Sequence, residues 1–185
     1  EGQAFESPAG HHLVIMMNIC SSFLIDKGYF VMIKIMFVCL GNICRSPMAE
    51  FILKNLVEKQ NLEKLFYIQS SATSSEEYGN PVHPGTRNKL AQYNIYTCGK
   101  TSVQLTKDDY DKYDYIIAMD TSNITGIFNI IKSDPQNKVS RLLDFTNHPR
   151  DIADPWYTGN FDKTYSDIYQ GCSELLNTLI IKHGL

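Results

Sequence analysis

A chain of 185 residues, of which 43% are hydrophobic and 20% are charged, is long enough to form one hydrophobic core without disulfides or a structural metal. Its formal net charge of −3, with no basic patch in the sequence, argues against a nucleic-acid-binding protein. The sequence contains no internal repeat or low-complexity tract, so we expect an ordinary globular domain.

The chain contains five cysteines at irregular spacing, Cys20, Cys39, Cys44, Cys98 and Cys172. Such a set is a poor disulfide framework and favours a reducing cytoplasm over secretion. A zinc site beside Cys39 and Cys44 would need a second close pair of Cys or His residues, and the five histidines are scattered. We therefore predict a cytoplasmic protein without a metal ion or other cofactor.

Residues 1–31 follow no clear structural pattern. Their apolar stretch, residues 13–25, is interrupted by polar residues and is too short to span a bilayer. It also lacks the preceding basic residues and the small-residue cleavage site of a secretory signal. We interpret residues 1–31 as an extension, either a cloning remnant or upstream sequence translated ahead of a natural start at Met32. A membrane anchor is the less favoured alternative, and deleting the extension should leave activity intact.

From Met32 onward, short apolar runs alternate with helical patterns, in the order strand 33–38, helix 47–60, strand 65–72, helix 84–94, helix 106–113, strand 113–119, helix 121–131, strand 138–145 and helix 162–184. This alternation predicts an α/β domain over residues 32–185, in which a four-stranded parallel sheet carries helices on both faces in three layers. Ligands of such sheets bind at the carboxyl ends of the strands, where the loop after the first strand lies.

Residues 39–46, CLGNICRS, connect the first strand to the first helix. Pro47 suits the first turn of that helix, and Ser46 suits its N-cap. Backbone N–H groups in a loop over a helix N-terminus can converge on one anion. Asn42 can hold the loop by local hydrogen bonds, and Arg45 offers two parallel donors to phosphate oxygens. We predict a phosphate-binding loop made of Leu40, Gly41, Asn42, Ile43, Cys44, Arg45 and Ser46.

Cys39 stands at the floor of this loop. The pKa of a cysteine thiol, near 8.5 in a free residue, falls to about 3.5–7.5 next to helix N-termini and cations. We therefore expect Cys39 to be largely thiolate at neutral pH and to attack a bound phosphorus atom. Other common phosphate loops are excluded, because neither G-x-x-x-x-G-K-[ST] nor G-x-G-x-x-G occurs. The alternative is that Cys39 and Cys44 are buried structural cysteines beside a surface arginine.

Phosphoryl transfer to a thiolate also needs a proton for the departing oxygen. Asp154, in the stretch DPWY, is the candidate acid, and Trp156 and Tyr157 could wall a pocket for a flat aromatic leaving group. By itself this stretch is a weak signal, because Asp-Pro turns with aromatic neighbours are common in loops.

The stretch VCLGNICRSPMAE, residues 38–50, resembles the signature loop of the low-molecular-weight protein tyrosine phosphatases, and the resemblance extends from Met32 to the C-terminus. Further stretches resemble family segments in the same order, namely SSATS (70–74), GNPVHP (79–84), QLTKDDY (104–110), DYIIAMDTSN (114–123) and DPWY (154–157). The family implies an enzyme that hydrolyses phosphotyrosine in protein substrates through a phosphocysteine intermediate. From the charge and the apolar stretch we expect neither a nucleic-acid nor a membrane partner, and we expect a monomer or weak dimer, although the sequence leaves the oligomeric state open.

The resemblance implies roles for individual residues. Cys39 would attack phosphorus, and Arg45 with the loop amides would hold the equatorial oxygens. Asp154 would protonate the phenol oxygen and then act as base for the hydrolytic water. The loop-shaping network would consist of Asn42, Ser46 and Ser70, with Ser46 also hydrogen-bonded to the thiolate. The substrate pocket would be lined by Ile43, Glu76, Trp156 and Tyr157.

Three positions leave questions open. Lys100 stands where family members often carry a histidine joined to the loop asparagine, so this arm of the network is unassigned. Glu76 stands at the pocket rim, where some relatives have an aromatic residue, and predicts that acidic phosphopeptides are disfavoured. The family implies a reversible disulfide between Cys39 and Cys44 that protects the nucleophile from irreversible oxidation. The alternative is that Cys44 is a small buried residue that supports the loop.

Three other functions are alternatives. A thioredoxin-coupled arsenate reductase would need two further cysteines in a segment past the middle of the chain, where this sequence has only Cys98 before Cys172 in the closing helix. A protein-arginine phosphatase would tend to carry threonine in place of Ile43. A catalytically silent phosphotyrosine-binding module would be expected to lack the nucleophile or the acid, and both are present.

Overall fold

The computed structural model describes residues 32–185, so the interpretation of residues 1–31 lies outside the described range. The strands of the described part are β1 (Ile33–Cys39), β2 (Phe66–Ala72), β3 (Tyr115–Ala118) and β4 (Val139–Arg141). Its α-helices are α1 (Arg45–Lys59), α2 (Pro84–Ala91), α3 (Asp109–Lys112), α4 (Thr121–Ile131), α5 (Pro155–Thr158) and α6 (Phe161–His183). Short 3₁₀ turns span Glu63–Leu65 and Leu142–Phe145.

All strands pair in parallel, in the order β2-β1-β3-β4. Successive side chains of a strand point to opposite faces. On β1, Ile35 and Phe37 therefore pack into the core formed with α1 and α6, whereas Met36 and Val38 pack into the core formed with α4. Burial on both faces explains why this strand is a continuous apolar run. The predicted three-layer α/β fold is confirmed.

The fourth strand is shorter than predicted. It ends at Arg141 instead of residue 145, and the chain continues as a 3₁₀ turn. Leu142 and Leu143 are both fully buried in the same core. Neighbouring residues of a strand would point to opposite faces, so the shared burial of these two leucines requires a different backbone conformation.

Two predicted helices are also shorter in the structure. The predicted helix 106–113 is reduced to α3, and the Asp109 carboxylate accepts hydrogen bonds from the N–H and hydroxyl of Thr106 at 2.8 and 2.7 Å. The predicted helix 84–94 ends at Ala91 and is followed by Asn94 at a positive φ of 58°. Left-handed backbone at that residue is incompatible with a continuing α-helix.

Helix α1 begins at Arg45, two residues earlier than predicted, with Cys44 in the cap position. The predicted N-cap role of Ser46 is therefore wrong. Ser46 is fully buried inside the first turn, and its hydroxyl contacts Cys39 and Asn42 instead of capping the helix. No helix within residues 32–185 has both the length and the apolar character needed to cross a bilayer.

Candidate active site

The segment between β1 and α1, residues 40–44, forms a curl at the carboxyl edge of the sheet. The carbonyl oxygens of Leu40, Gly41 and Ile43 accept hydrogen bonds of 2.8–2.9 Å from groups outside the curl. A trans peptide points its C=O and the following N–H in opposite directions, so the N–H groups of the curl face its interior. The Asn42 N–H illustrates this, because it donates to Cys39 Sγ at 3.3 Å. The curl thus presents amide donors and a sulfur atom to the same space.

Asn42 anchors the curl through its side chain. Its φ of 54° lies in the left-handed region, which asparagine tolerates better than most residues. Its Nδ2 donates to the hydroxyls of Ser46 and Ser70, both at 2.8 Å, and its Oδ1 accepts from the Val103 N–H at 3.2 Å. The structure thus brings the predicted network residues together. Lys100 donates to the Ser70 carbonyl at 2.8 Å, so it reaches the network through Ser70.

Arg45 is 2% exposed and is held by acceptors from distant segments. It donates to the carboxylates of Asp120 and Asp154 and to the Ile152 carbonyl at 3.0 Å. Its Nε is buried and has no acceptor within the described part of the chain. Burial lowers the pKa of Arg45, but the Cys39 sulfur and the two carboxylates outweigh burial and raise it. Arg45 is therefore a fixed cation whose Nε–H is not used by the protein contacts around it.

Asp120 belongs to this site, although sequence reasoning missed it. Its Oδ1 caps α4 by accepting from the Asn123 N–H at 2.7 Å and from the Ser122 hydroxyl at 2.6 Å, while Oδ2 contacts Arg45. Burial raises the pKa of Asp120, but the hydrogen bonds from Ser122, Arg45 and Asn123 outweigh it and leave the pKa below its ordinary value. One signal in the sequence could have identified Asp120, because it follows β3, which pairs with β1. Residues that follow neighbouring parallel strands lie at the carboxyl edge of the sheet, where ligands bind.

Asp154 is also held from two sides. Its Oδ1 accepts from the Trp156 N–H at 3.0 Å and so caps the short helix α5, which sequence reasoning missed. Its Oδ2 contacts Arg45. Because the cap fixes the carboxylate at the start of the helix, Asp154 stands beside the curl instead of turning into solvent.

A cavity of about 170 Å³ opens above the curl. It is lined by Cys39, Leu40, Gly41, Ile43, Cys44, Glu76, Glu77, Asp154, Trp156 and Tyr157. The predicted pocket residues therefore share one cavity with the predicted nucleophile and acid, and Glu77 is an addition. Within residues 32–185, no group of three or more His, Cys, Asp or Glu side chains is arranged to hold a metal ion.

Cys44 differs from Cys39 in its surroundings. Cys39 Sγ lies 3.1 Å from the Ser46 hydroxyl and 3.3 Å from the Asn42 N–H, which are donors suited to a thiolate. The pKa of the Cys44 thiol is raised to about 12. The main cause is burial, and the Cys39 sulfur and the Asp154 carboxylate add to it. These surroundings disfavour the Cys44 thiolate, so Cys39 and not Cys44 is the candidate nucleophile towards phosphorus.

A sulfur atom among amide donors, a buried arginine and a carboxylate at the cavity mouth define a cysteine-containing oxyanion site on a parallel α/β sheet. Residues 34–183 match the family model described as low molecular weight phosphotyrosine protein phosphatase. The chain belongs to this family. The family and the phosphatase class predicted from residues 38–50 are confirmed.

Relatives and solved structures agree with this assignment. The chain is 40% identical over 150 residues to the low molecular weight protein-tyrosine-phosphatase YfkJ of Bacillus subtilis, covering 80% of this chain and 96% of the relative. The crystal structure of YfkJ matches with a TM-score of 0.81 and 39% identity, over 85% of this chain and all of that chain. The Drosophila arginine phosphatase DARP matches with a TM-score of 0.72 and 31% identity, over 80% of this chain and 98% of that chain.

Proposed function

We propose that the protein is a protein tyrosine phosphatase that hydrolyses phosphotyrosine through a phosphocysteine intermediate. The observation that carries this proposal is that Cys39 and Asp154 line one cavity while the buried Arg45 guanidinium contacts the Asp154 carboxylate. The inward N–H groups of the curl and the unpaired Arg45 Nε supply donors where an oxyanion would bind. The cavity is walled by Trp156 and Tyr157, which suits an aromatic leaving group.

In the first step, the Cys39 thiolate attacks phosphorus. A sulfur–phosphorus bond forms, the bond from phosphorus to the phenol oxygen breaks, and that oxygen takes a proton from the Asp154 carboxyl. A phosphate that occupies the Arg45 donors frees Asp154 from its present contact with Arg45, so the carboxyl can face the leaving oxygen. Arg45 and the curl amides stabilise the charge on the equatorial oxygens.

In the second step, water attacks the phosphocysteine. The Asp154 carboxylate takes a proton from the water, the sulfur–phosphorus bond breaks, and phosphate and the Cys39 thiolate are released. The Ser46 hydroxyl, 3.1 Å from the sulfur, donates to the thiolate as it leaves. This donor lowers the barrier of the step because charge develops on sulfur.

Hydrolysis of an aryl phosphate tests this mechanism. Cys39→Ser should abolish turnover, and Asp154→Ala should slow it by about 10²- to 10⁴-fold, the usual contribution of a general acid. The matched control is Cys98→Ser, which removes an exposed thiol outside the cavity and should leave turnover unchanged. Acid quenching should trap one phosphoryl group on the Cys39 peptide by mass spectrometry. Turnover by Cys39→Ser at the wild-type rate would contradict the proposal.

Phosphoarginine is the second candidate substrate, because the chain resembles the Drosophila arginine phosphatase in structure. Ile43, 8% exposed in the cavity lining, favours phosphotyrosine, since its apolar side chain suits a phenyl ring better than a guanidinium. Peptides of identical sequence that carry phosphotyrosine or phosphoarginine distinguish the two substrates. We expect a higher kcat/KM for phosphotyrosine, and a ratio that falls in Ile43→Thr.

We also propose that Cys44 protects Cys39 through a reversible disulfide. Both cysteines are free thiols that line the same cavity. Peroxide oxidises Cys39 to a sulfenic acid, which condenses with the Cys44 thiol and releases water. Thiol treatment should then restore activity in the wild type and fail to do so in Cys44→Ser. Equal recovery in both proteins would leave Cys44 with only a structural role.

A further inference from the structure

A cluster of three aromatic rings connects the helix that follows the candidate acid to the core. The His83 ring, at the N-cap of α2, stacks on Phe161 of α6 with 5.3 Å between the ring centroids and 5° between the planes. Trp156 of α5 meets the same ring in a T-shaped contact, at 5.6 Å and 72°. Phe161 in turn packs against the larger hydrophobic core. His83 therefore links α5 to the core.

The sequence around His83 fixes its ring in place. Its Nδ1 accepts from the Gly85 N–H at 3.1 Å, which caps α2 and orients the imidazole. A Cβ atom at Gly85 would lie 2.4–2.8 Å from the Phe161 ring, so a side chain there would push Phe161 away from the start of α2. The His83 N–H donates to the Ile43 carbonyl of the curl at 2.8 Å. The position of the ring is thereby set relative to the curl.

Helix α5 is short and offers little surface to hold it. It has four residues, of which Pro155 is the buried one, whereas Trp156 is 57% exposed. Asp154 caps this helix and contacts Arg45. In the proposed mechanism, phosphate occupies the Arg45 donors and releases the Asp154 carboxylate. One tie of α5 is therefore lost when the acid is needed, and the contact of Trp156 with His83 remains.

We propose that His83 is a positioning residue, whose ring holds Trp156 and thereby keeps the Asp154 carboxyl facing the leaving oxygen after phosphate has bound. This inference rests on the proposed function, in which Asp154 is the general acid. The link is short, because the Trp156 N–H donates to Asp154 Oδ1 at 3.0 Å. A shift of α5 therefore moves the carboxyl, and a displacement of about 1 Å can slow an oriented step about 100-fold.

Two substitutions in the full chain separate the ring of His83 from its role as a helix cap. His83→Asn keeps a side-chain oxygen for the Gly85 N–H, since asparagine is among the best N-cap residues, but it has no ring. His83→Phe keeps a ring that can stack on Phe161 and meet Trp156, but it has no acceptor for the cap. If the ring positions the acid, His83→Asn is impaired and His83→Phe resembles the wild type. A role as a cap alone predicts the opposite order.

The measured quantity is kcat/KM for aryl phosphates with different leaving groups. This ratio reports phosphoryl transfer to Cys39, in which a phenol with a pKa of about 10 needs a proton from Asp154, whereas dinitrophenol, a much stronger acid, leaves without one. In His83→Asn we expect kcat/KM to fall about 10-fold for phenyl phosphate and less than about 2-fold for dinitrophenyl phosphate, as for the loss of one aromatic contact to the acid helix. His83→Phe should stay within about 2-fold of the wild type for both substrates.

Two further variants show whether the effect passes through the acid. Asp154→Asn keeps an oxygen that can cap α5 but cannot give up a proton, so adding His83→Asn should change kcat/KM for phenyl phosphate little in that background. His183→Asn replaces an exposed histidine at the end of α6, outside the cavity lining, and is the matched control with wild-type values. Thermal unfolding of every variant, measured in parallel, confirms that the assays compare folded proteins.

Fluorescence tests the contact without relying on activity. Trp156 is the only tryptophan among the 185 residues, so the tryptophan emission of the protein comes from the side chain that His83 touches. The anisotropy of this emission should fall in His83→Asn, because the indole gains rotational freedom when the neighbouring ring is lost. It should remain at the wild-type value in His83→Phe. Equal anisotropy in His83→Asn and wild type would show that His83 does not hold Trp156 and would overturn the proposal.

The kinetic outcomes are distinct. If the wild type hydrolyses no aryl phosphate, the proposed function fails, and the positioning role fails with it. If the wild type is active and His83→Asn loses kcat/KM equally for both substrates, or not at all, only the positioning role is overturned. It is also overturned if His83→Phe is impaired more than His83→Asn, or if the loss persists undiminished in the Asp154→Asn background, because the effect would then not depend on the ring or on the acid.

Discussion

The floor and the rim of the cavity are built differently. On the floor, Cys39, Arg45 and Ser46 are at most 3% exposed, and each is held by at least one side-chain hydrogen bond. At the rim, Trp156 is 57% exposed and Tyr157 is 77% exposed. The floor is therefore rigidly defined by buried polar contacts, whereas the rim is open to solvent.

This difference separates two tasks. Preorganised donors stabilise developing charge only if they do not have to reorganise, which requires a buried, cross-linked floor. Recognition of varied protein substrates does not need that rigidity, and exposed aromatic and charged side chains contribute graded, weaker preferences. Substitutions on the floor should therefore change both stability and turnover, and substitutions at the rim should change only substrate preference.

The largest effect is expected for Arg45→Met. It removes the cation between the Asp120 and Asp154 carboxylates, and breaking such a pair costs about 3–5 kcal/mol when one partner is left behind. We expect a loss of about 3 kcal/mol in the free energy of urea unfolding, since both carboxylates keep some solvent contact, together with loss of turnover. Adding Asp120→Asn should recover part of the stability and none of the turnover. Wild-type stability in Arg45→Met would show that the floor is not held by this cation.

Asp120→Asn alone should have a smaller, pH-dependent effect. Asparagine keeps an oxygen for the α4 cap but loses the charge that faces Arg45, which should cost about 1–3 kcal/mol near neutral pH. The folded-state pKa of Asp120 is depressed, so its contribution is present above the unfolded pKa of about 3.9 and is lost as pH falls through the folded value. The stability difference between wild type and variant should therefore shrink as pH falls below about 4.

Asp151→Asn is the control for this measurement. Asp151 pairs with Arg141 at 2.8 Å, but its side chain is 47% exposed, so removing its charge should change stability little at any pH. A difference between wild type and Asp120→Asn that stays constant from pH 7 to pH 3 would mean that the Asp120 charge does not stabilise the floor.

The fold and the curl could be predicted from the sequence because both depend on short contiguous segments. The apolar run of β1 identifies a buried strand, and residues 39–46 carry the nucleophile and Arg45 within a few positions. The partners of Arg45 are different, since Asp120 is 75 positions away and only the pairing of β1 with β3 brings it near. Asp154 was predicted as the acid from the stretch DPWY, which is a weak local signal, and the family resemblance then implied the same role.

The ion pair of Glu50 and Lys100 shows the same limit of local patterns. Glu50 is a charged residue in α1, and Lys100 lies in a loop. Their burial depends on how the segment before α3 packs against α1 and β2, which no local pattern encodes. The fourth strand was misjudged for a related reason, because the core that receives Leu142 and Leu143 is completed by α6.

The smallest effect is expected at the rim, from Glu76→Gln. Glu76 is exposed, whereas the neighbouring Glu77 is partly buried and accepts from Asn80 at 2.7 Å, so Glu76 has the freer charge. We expect the wild type to prefer a phosphopeptide with basic flanking residues over an acidic one, and the variant to reduce that kcat/KM ratio about 2- to 3-fold at low salt. The effect should fade at about 0.5 M salt, where surface charges are screened.

Glu63→Gln, at an exposed position outside this cavity, should leave the ratio unchanged. An identical ratio in Glu76→Gln and wild type would show that the Glu76 charge plays no part in substrate choice. The exposed aromatic residues of the rim would then remain as the source of any preference.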